Sequence, residues 1–222
     1  MDGPAGPLEV RIDVPRGLDL GIDLVICHPH PLHGGTFDNK VVHTLARAAR
    51  DIGLRAVRFN FRGVGGSAGT HDGGRGEVDD LLAIVEGCAH TAPGRALVLA
   101  GFSFGAWVAA AGAVRLQAAG RAPRALLLVA PPVQYPGFAS LPPFALPLLV
   151  IQGDDDEVVD PRAVADWCGA GQPRAQLLRL PAGHFFHGSL PALKDETARW
   201  LRDILSPRPF PPQRVPGKLP SQ

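Results

Sequence analysis

Residues 97–105 read Leu97-Val98-Leu99-Ala100-Gly101-Phe102-Ser103-Phe104-Gly105, and the alanine-rich run Gly105–Leu116 follows directly. The first four residues suit a buried strand and the later run suits a helix. A G-x-S-x-G pentapeptide between a strand and a helix marks a sharp turn that lifts a serine hydroxyl above a sheet. The reason is steric: the turn strains the serine backbone, and the flanking glycines remove side chains that would collide there. The turn also sets Ser103 at the positive end of a helix, with the Phe104 N–H pointing where negative charge would develop. The pattern nominates Ser103 as a nucleophile and Phe104 as a backbone donor to an oxyanion.

A serine hydroxyl needs a base. Downstream, Leu180-Pro181-Ala182-Gly183-His184 places a histidine just after a predicted strand, and His187 follows three residues later. His184 is preferred as the one nearer the strand end, with His187 competing. An orienting acid belongs between serine and histidine in the chain order of this motif. The segment Gly153-Asp154-Asp155-Asp156-Glu157, after the strand Leu146–Ile151, offers several. Three adjacent aspartates cannot all face one ion, so no metal role is expected for them.

Outward from this stretch, strand and helix patterns alternate. Leu8–Val14 alternates as a strand, Ile22–Cys27 is an apolar run interrupted only by Asp23, and Arg55–Phe61, Arg95–Ala100, Ala125–Val129 and Gln176–Leu180 read as further strands. Helix spacing connects Val41, Leu45, Ala49 and Ile52, then Val78, Leu81, Val85 and Ala89, then Leu193, Thr197, Trp200 and Ile204, with a short helix at Pro161–Cys168. Such alternation predicts an α/β fold, a mostly parallel central sheet with helices on both faces. Ligands of such sheets bind beyond the carboxyl ends of the strands, which is where the nominated residues fall.

A chain of 222 residues suits one domain, predicted over 1–205. Ser206–Gln222 holds six prolines and three cations without an acid, and is expected to be a flexible tail. The net charge of +1 gives no field that would favour nucleic acid or an anionic membrane. Cys27, Cys88 and Cys168 form no CxxC pair and read as thiols of a reducing compartment. No secretory signal and no run near the ~18 apolar residues of a membrane span is present, so a cytoplasmic protein is expected.

The sequence resembles the α/β-hydrolase superfamily, and within it the small cap-less bacterial serine hydrolases with a dienelactone-hydrolase-like fold and an H-P-H-P-x-x-G-G-T loop. The matching segments are His28-Pro29-His30-Pro31-Leu32-His33-Gly34-Gly35-Thr36, Phe59 to Ser67, Gly101 to Gly105, Gly153 to Val159 and Gly183-His184-Phe185-Phe186-His187-Gly188. The resemblance spans about residues 8–205. It implies that the acid is Asp156, three residues after the strand-end glycine, and that the base is His184, the first histidine of H-F-F-H. It also implies an oxyanion loop at His28–Leu32. Pro29 and Pro31 have no N–H, so the second oxyanion donor falls to His30 or Leu32, with His30 preferred by its place relative to the strand end.

Cap domains of this family usually follow the strand that here is Ala125–Val129. The segment before Leu146 is short and carries Pro131, Pro132, Pro136, Pro142 and Pro143, so no cap is expected. An open site favours small, short-chain esters, with Phe102, Phe104, Tyr135, Phe138 and Phe185 as candidate walls. The expectation is a carboxylesterase working through an acyl-enzyme on Ser103, without cofactor or metal, as a monomer or homodimer. A thioesterase, amidase or acyltransferase would use the same three residues, and a non-catalytic ligand-binding protein would use none of them.

Overall fold

The structure, a computed structural model, describes residues 1–172 and 174–205. The chain opens with a small hairpin, β1 (Asp2–Gly3) and β2 (Gly6–Pro7). Then come β3 (Val10–Asp13), β4 (Ile22–Cys27), α1 (Lys40–Asp51), β5 (Arg55–Phe59), α2 (Arg75–Thr91), β6 (Ala96–Phe102) and α3 (Phe104–Ala118). The remainder is β7 (Ala125–Val129), α4 (Pro136–Ala139), β8 (Leu148–Gly153), α5 (Pro161–Gly171), β9 (Ala175–Leu180) and α6 (Leu190–Leu205). Seven strands form one sheet in the order β3-β5-β4-β6-β7-β8-β9, and only β3 runs antiparallel to its neighbour.

Strands β4, β7 and β8 are buried at every residue, because helices cover both faces of the sheet. The strand period of two divides their side chains between two cores. Val25, Leu126 and Leu128 pack with Leu81, Ile84 and Trp107 of α2 and α3. Leu24, Ile26 and Leu127 pack with Val41 and Leu45 of α1 and Trp200 and Leu201 of α6. From β4 the chain steps to β5 on one side and later to β6 on the other, so the strand order reverses between β4 and β6. Their carboxyl ends open a crevice at that reversal.

Several expected boundaries move. The strand expected over Leu8–Val14 is β3, which begins at Val10 because Leu8 is engaged elsewhere: its N–H donates to the Met1 carbonyl at 2.7 Å and its carbonyl accepts from the Met1 amino group at 3.0 Å. The strand expected to end at Phe61 stops at Phe59, while β6 runs on to Phe102. The proline-rich connection 130–147 contains only the four-residue helix α4 and forms no cap. The tail expected over 206–222 lies outside the described residues. Among the described residues, no helix is long and apolar enough to cross a membrane.

His28, fully buried at the end of β4, ties the crevice together. Its Nδ1–H donates to the Pro29 carbonyl at 2.7 Å, and its Nε2 accepts the Phe61 N–H at 3.0 Å. Nε2 can accept only while unprotonated, so the fold holds this ring neutral. Burial lowers its pKa from 6.5 to about 4, against a smaller opposing effect of the Pro29 carbonyl. Between those values the unfolded chain binds a proton that the folded one refuses, so stability present above pH 6.5 is lost as the pH falls toward 4. At about 1.4 kcal/mol per pH unit the full loss is about 3 kcal/mol. In urea unfolding at pH 7 and pH 4.5, the wild type is expected to lose about 2.5 kcal/mol more than His28→Gln, which keeps a donor and an acceptor but does not titrate. Equal losses in the two proteins contradict this assignment.

Candidate active site

Ser103 occupies the turn between β6 and α3 with φ 54° and ψ −121°, a conformation that L-residues rarely adopt. Neighbouring hydrogen bonds hold it there, from the Ser103 N–H to the Val129 carbonyl at 2.9 Å and from the Ala106 N–H to the Ser103 carbonyl at 2.8 Å. The flanking glycines are sterically required. A Cβ on Gly101 would lie 2.1 Å from the Gly105 carbonyl oxygen, and a Cβ on Gly105 would lie 2.3 Å from that of Cys27.

The loop after β9 brings His184 to this turn. Its Nε2 stands 3.0 Å from Ser103 Oγ, and its Nδ1 stands 2.9 Å and 3.1 Å from the two carboxylate oxygens of Asp156. The ring is buried between Phe102 and Phe185, with centroids 5.1 Å and 5.2 Å away. The loops after β8 and β9 are joined by backbone bonds, Asp154 N–H to the Leu180 carbonyl at 2.8 Å and Asp155 N–H to the Ala182 carbonyl at 3.0 Å. These bonds hold Asp156 and His184 in register. The three aspartates thus separate by task. Asp154 pairs with Arg179 at 2.6 Å, and Asp155 binds through its backbone. Asp156 alone turns inward.

The Asp156 carboxylate is surrounded by donors. Its Oδ1 accepts the Val158 and Val159 N–H groups at 2.9 Å and 2.8 Å, and its Oδ2 accepts Gln152 Nε2 at 2.9 Å. Burial alone would raise its pKa. The hydrogen bonds from His184, Val159 and Val158 outweigh that and hold the carboxyl below its ordinary value of 3.8. It therefore stays charged and keeps a hydrogen on His184 Nδ1, which leaves Nε2 as an acceptor toward Ser103.

Sequence reasoning missed Gln152 in this network and offered Glu157 only as one of several candidate acids. Gln152 is fully buried and positions Asp156, and its signal was a lone polar residue closing an otherwise apolar strand. Glu157 accepts the His184 backbone N–H at 3.1 Å and steadies the histidine loop. Nothing in its sequence context separates it from a solvated acid.

The two oxyanion candidates differ in their hydrogen bonds. The Leu32 N–H donates to His30 Nδ1 at 3.2 Å and is therefore occupied. The His30 carbonyl accepts from His33 and Gly35, each at 3.0 Å, which closes a tight turn. The backbone N–H groups of His30 and Phe104 donate to no protein acceptor among the described residues. His30 and Ser103 line one cavity of about 140 Å³ together with Pro29, His33, His184 and Phe185. His30 stacks on His33 at 4.6 Å, and burial followed by the neighbouring His33 and His71 lowers its pKa. The imidazoles therefore lie face to face and do not converge, and no group of three metal-ligating side chains occurs among the described residues.

Of the expected apolar walls, only Phe185 lines this cavity, 44% exposed. Phe102 and Phe138 are core residues, Phe104 packs inward, and Tyr135 rests on Trp107 at 5.4 Å. His187, the competing base, has its ring 6.0 Å from Phe185 and lines a neighbouring cavity. A hydroxyl facing an acceptor imidazole, itself held by a buried carboxylate, is an arrangement suited to nucleophilic attack on an acyl carbon.

The chain matches the family model described as Alpha/beta hydrolase family over residues 24–220. It is similar to an alpha-beta serine hydrolase homologue from Coxiella burnetii, 46% identical, covering 90% of this chain and 95% of that one with a TM-score of 0.86. It is similar also to XC6422 from Xanthomonas campestris, a member of the a/b serine hydrolases without a lid. That protein is 42% identical, covers 94% of both chains and gives a TM-score of 0.87. The Rickettsia prowazekii protein RP471 is 38% identical over 173 residues, which cover 75% of this chain and 69% of that protein.

Proposed function

The chain belongs to the alpha/beta hydrolase family, and from that premise we propose that it is a carboxylesterase of small, short-chain acyl esters. The observation that carries the reading is the line from Ser103 Oγ through His184, at 3.0 Å, to Asp156, at 2.9 Å. His184 Nε2 takes the hydroxyl proton as Ser103 Oγ attacks the ester carbonyl. The Phe104 and His30 N–H groups receive the negative charge that develops on the carbonyl oxygen, each contributing about 2.7–4 kcal/mol if it behaves as a typical donor of this kind. His184 passes its proton to the departing alcohol, which leaves an acyl group on Ser103. It then removes a proton from water, which attacks and frees the acid.

The small cavity and the missing cap support the short-chain part of the reading. Free Cys27, Cys88 and Cys168 suit the cytoplasm, where thiols stay reduced. A series of p-nitrophenyl esters tests substrate size. The kcat/KM is expected to peak between acetate and butyrate and to fall by about tenfold or more at decanoate, for which the cavity has no wall. A maximum on long chains contradicts the short-chain reading. A matched thioester or amide turned over faster than the ester assigns the same residues to a thioesterase or amidase. Failure of a fluorophosphonate to label Ser103 points to a ligand-binding protein.

A further inference from the structure

A second and larger cavity, about 350 Å³, adjoins the one over Ser103. The two share Gly34, Asn39 and Phe185, so the exposed Phe185 ring is a wall common to both. A substrate held at Ser103 has a path past Phe185 into this space. The formally charged residues on its lining are Asp38 and Lys40. The Asp38 carboxylate is already compensated, by Arg11 at 3.0 Å and Arg58 at 3.3 Å. Lys40 is exposed and pairs with no carboxylate among the described residues. The charge left for a ligand is therefore positive.

The polar groups around Lys40 have the same sense. Asn39 Oδ1 is engaged by the Val41 and Val42 N–H groups at 2.9 Å and 3.5 Å, which leaves its Nδ2 hydrogens as donors where the cavities meet. The cavity is lined also by His187, and Val41 and Phe185 supply apolar surface. A neutral alkyl chain in this space would crowd an ammonium group without giving it a partner. A carboxylate on a short methylene spacer would meet donors at its head and apolar walls along its stem.

Building on the esterase reading above, we propose that this cavity is a carboxylate subsite. The enzyme's preferred substrates are then esters that carry a second, ionised carboxyl group, with Lys40 as its counter-ion. Nothing in the overall charge of +1 favours anions, so the preference is local to this cavity.

Two matched substrate pairs test the proposal on the enzyme. In one the carboxylate is in the acyl half, monomethyl glutarate against methyl 4-carbamoylbutanoate. In the other it is in the alcohol half, 3-acetoxypropanoate against 3-acetoxypropanamide. The ratio of kcat/KM for acid over amide is expected to be about tenfold in one pair. It should fall to near one in Lys40→Met and persist in Lys40→Arg, which keeps the cation. Turnover of p-nitrophenyl acetate with no acid preference in either pair overturns the subsite and leaves the esterase reading standing. So does a preference that survives Lys40→Met. A wild type inert on p-nitrophenyl acetate removes the esterase reading and the subsite with it.

Discussion

Replacing Ser103 by alanine is expected to lower kcat on p-nitrophenyl acetate by about 10⁶-fold. The substitution removes one oxygen and little else. Among the described residues Ser103 Oγ has His184 Nε2, at 3.0 Å, as its one hydrogen-bond partner, and the turn itself is held by backbone bonds to Val129 and Ala106. Alanine bears the same Cβ, so the φ of 54° costs it no more than it costs serine. The thermal midpoint should therefore stay within a few degrees of wild type. What remains active in such a variant is the pair of backbone donors and the binding site, which elsewhere supply about 10³–10⁴-fold over water. The variant should also resist fluorophosphonate labelling. Activity retained within about tenfold of wild type, in a folded variant, would remove Ser103 from the reaction.

The strength of that expectation reflects how local the relevant physics is. The turn around Ser103 was legible because collisions at Gly101 and Gly105 depend on atoms within the turn and on the neighbouring end of β4. Strands β4 and β7 were legible to the residue because both faces are covered and their runs are apolar throughout, Asp23 of β4 excepted. Other choices depended on contacts that no local pattern encodes. His184 and His187 share one loop. What parts them is the backbone between, where Phe186 sits at φ 54° and turns the chain. His30 and Leu32 both kept a free N–H on paper, until the His30 imidazole folded back onto Leu32. Leu8 looked like strand, but the opening residues of the chain claim its hydrogen bonds. The second cavity joins the loop before α1 to the loop after β9, so its lining is distant in sequence.

The second large effect expected is on Asp156→Asn, about 10⁴-fold in kcat with KM little changed. The size of the effect follows from what surrounds the group. Four donors converge on the carboxylate: the Val158 and Val159 N–H groups on Oδ1, and Gln152 Nε2 with His184 Nδ1 on Oδ2. An asparagine has one acceptor oxygen. It is best satisfied facing the two fixed backbone N–H groups, which puts its NH₂ where Oδ2 stood. His184 Nδ1 must then accept that N–H, which moves the ring hydrogen to Nε2. The imidazole now donates to Ser103 Oγ and has no lone pair with which to take its proton. The charge that stabilises an imidazolium is also gone. Asp156→Ala should be as inactive but less stable, since it leaves the buried Val159 N–H and the part-buried Val158 N–H without this acceptor, at about 1–3 kcal/mol for a fully buried group. The comparison separates the two roles, because Asp156→Asn keeps most of the stability while losing the activity. An Asp156→Asn variant within tenfold of wild-type kcat would show that His184 finds its working tautomer without this carboxylate, and a different acid, with Asp155 and Glu157 adjacent in sequence, would have to be sought.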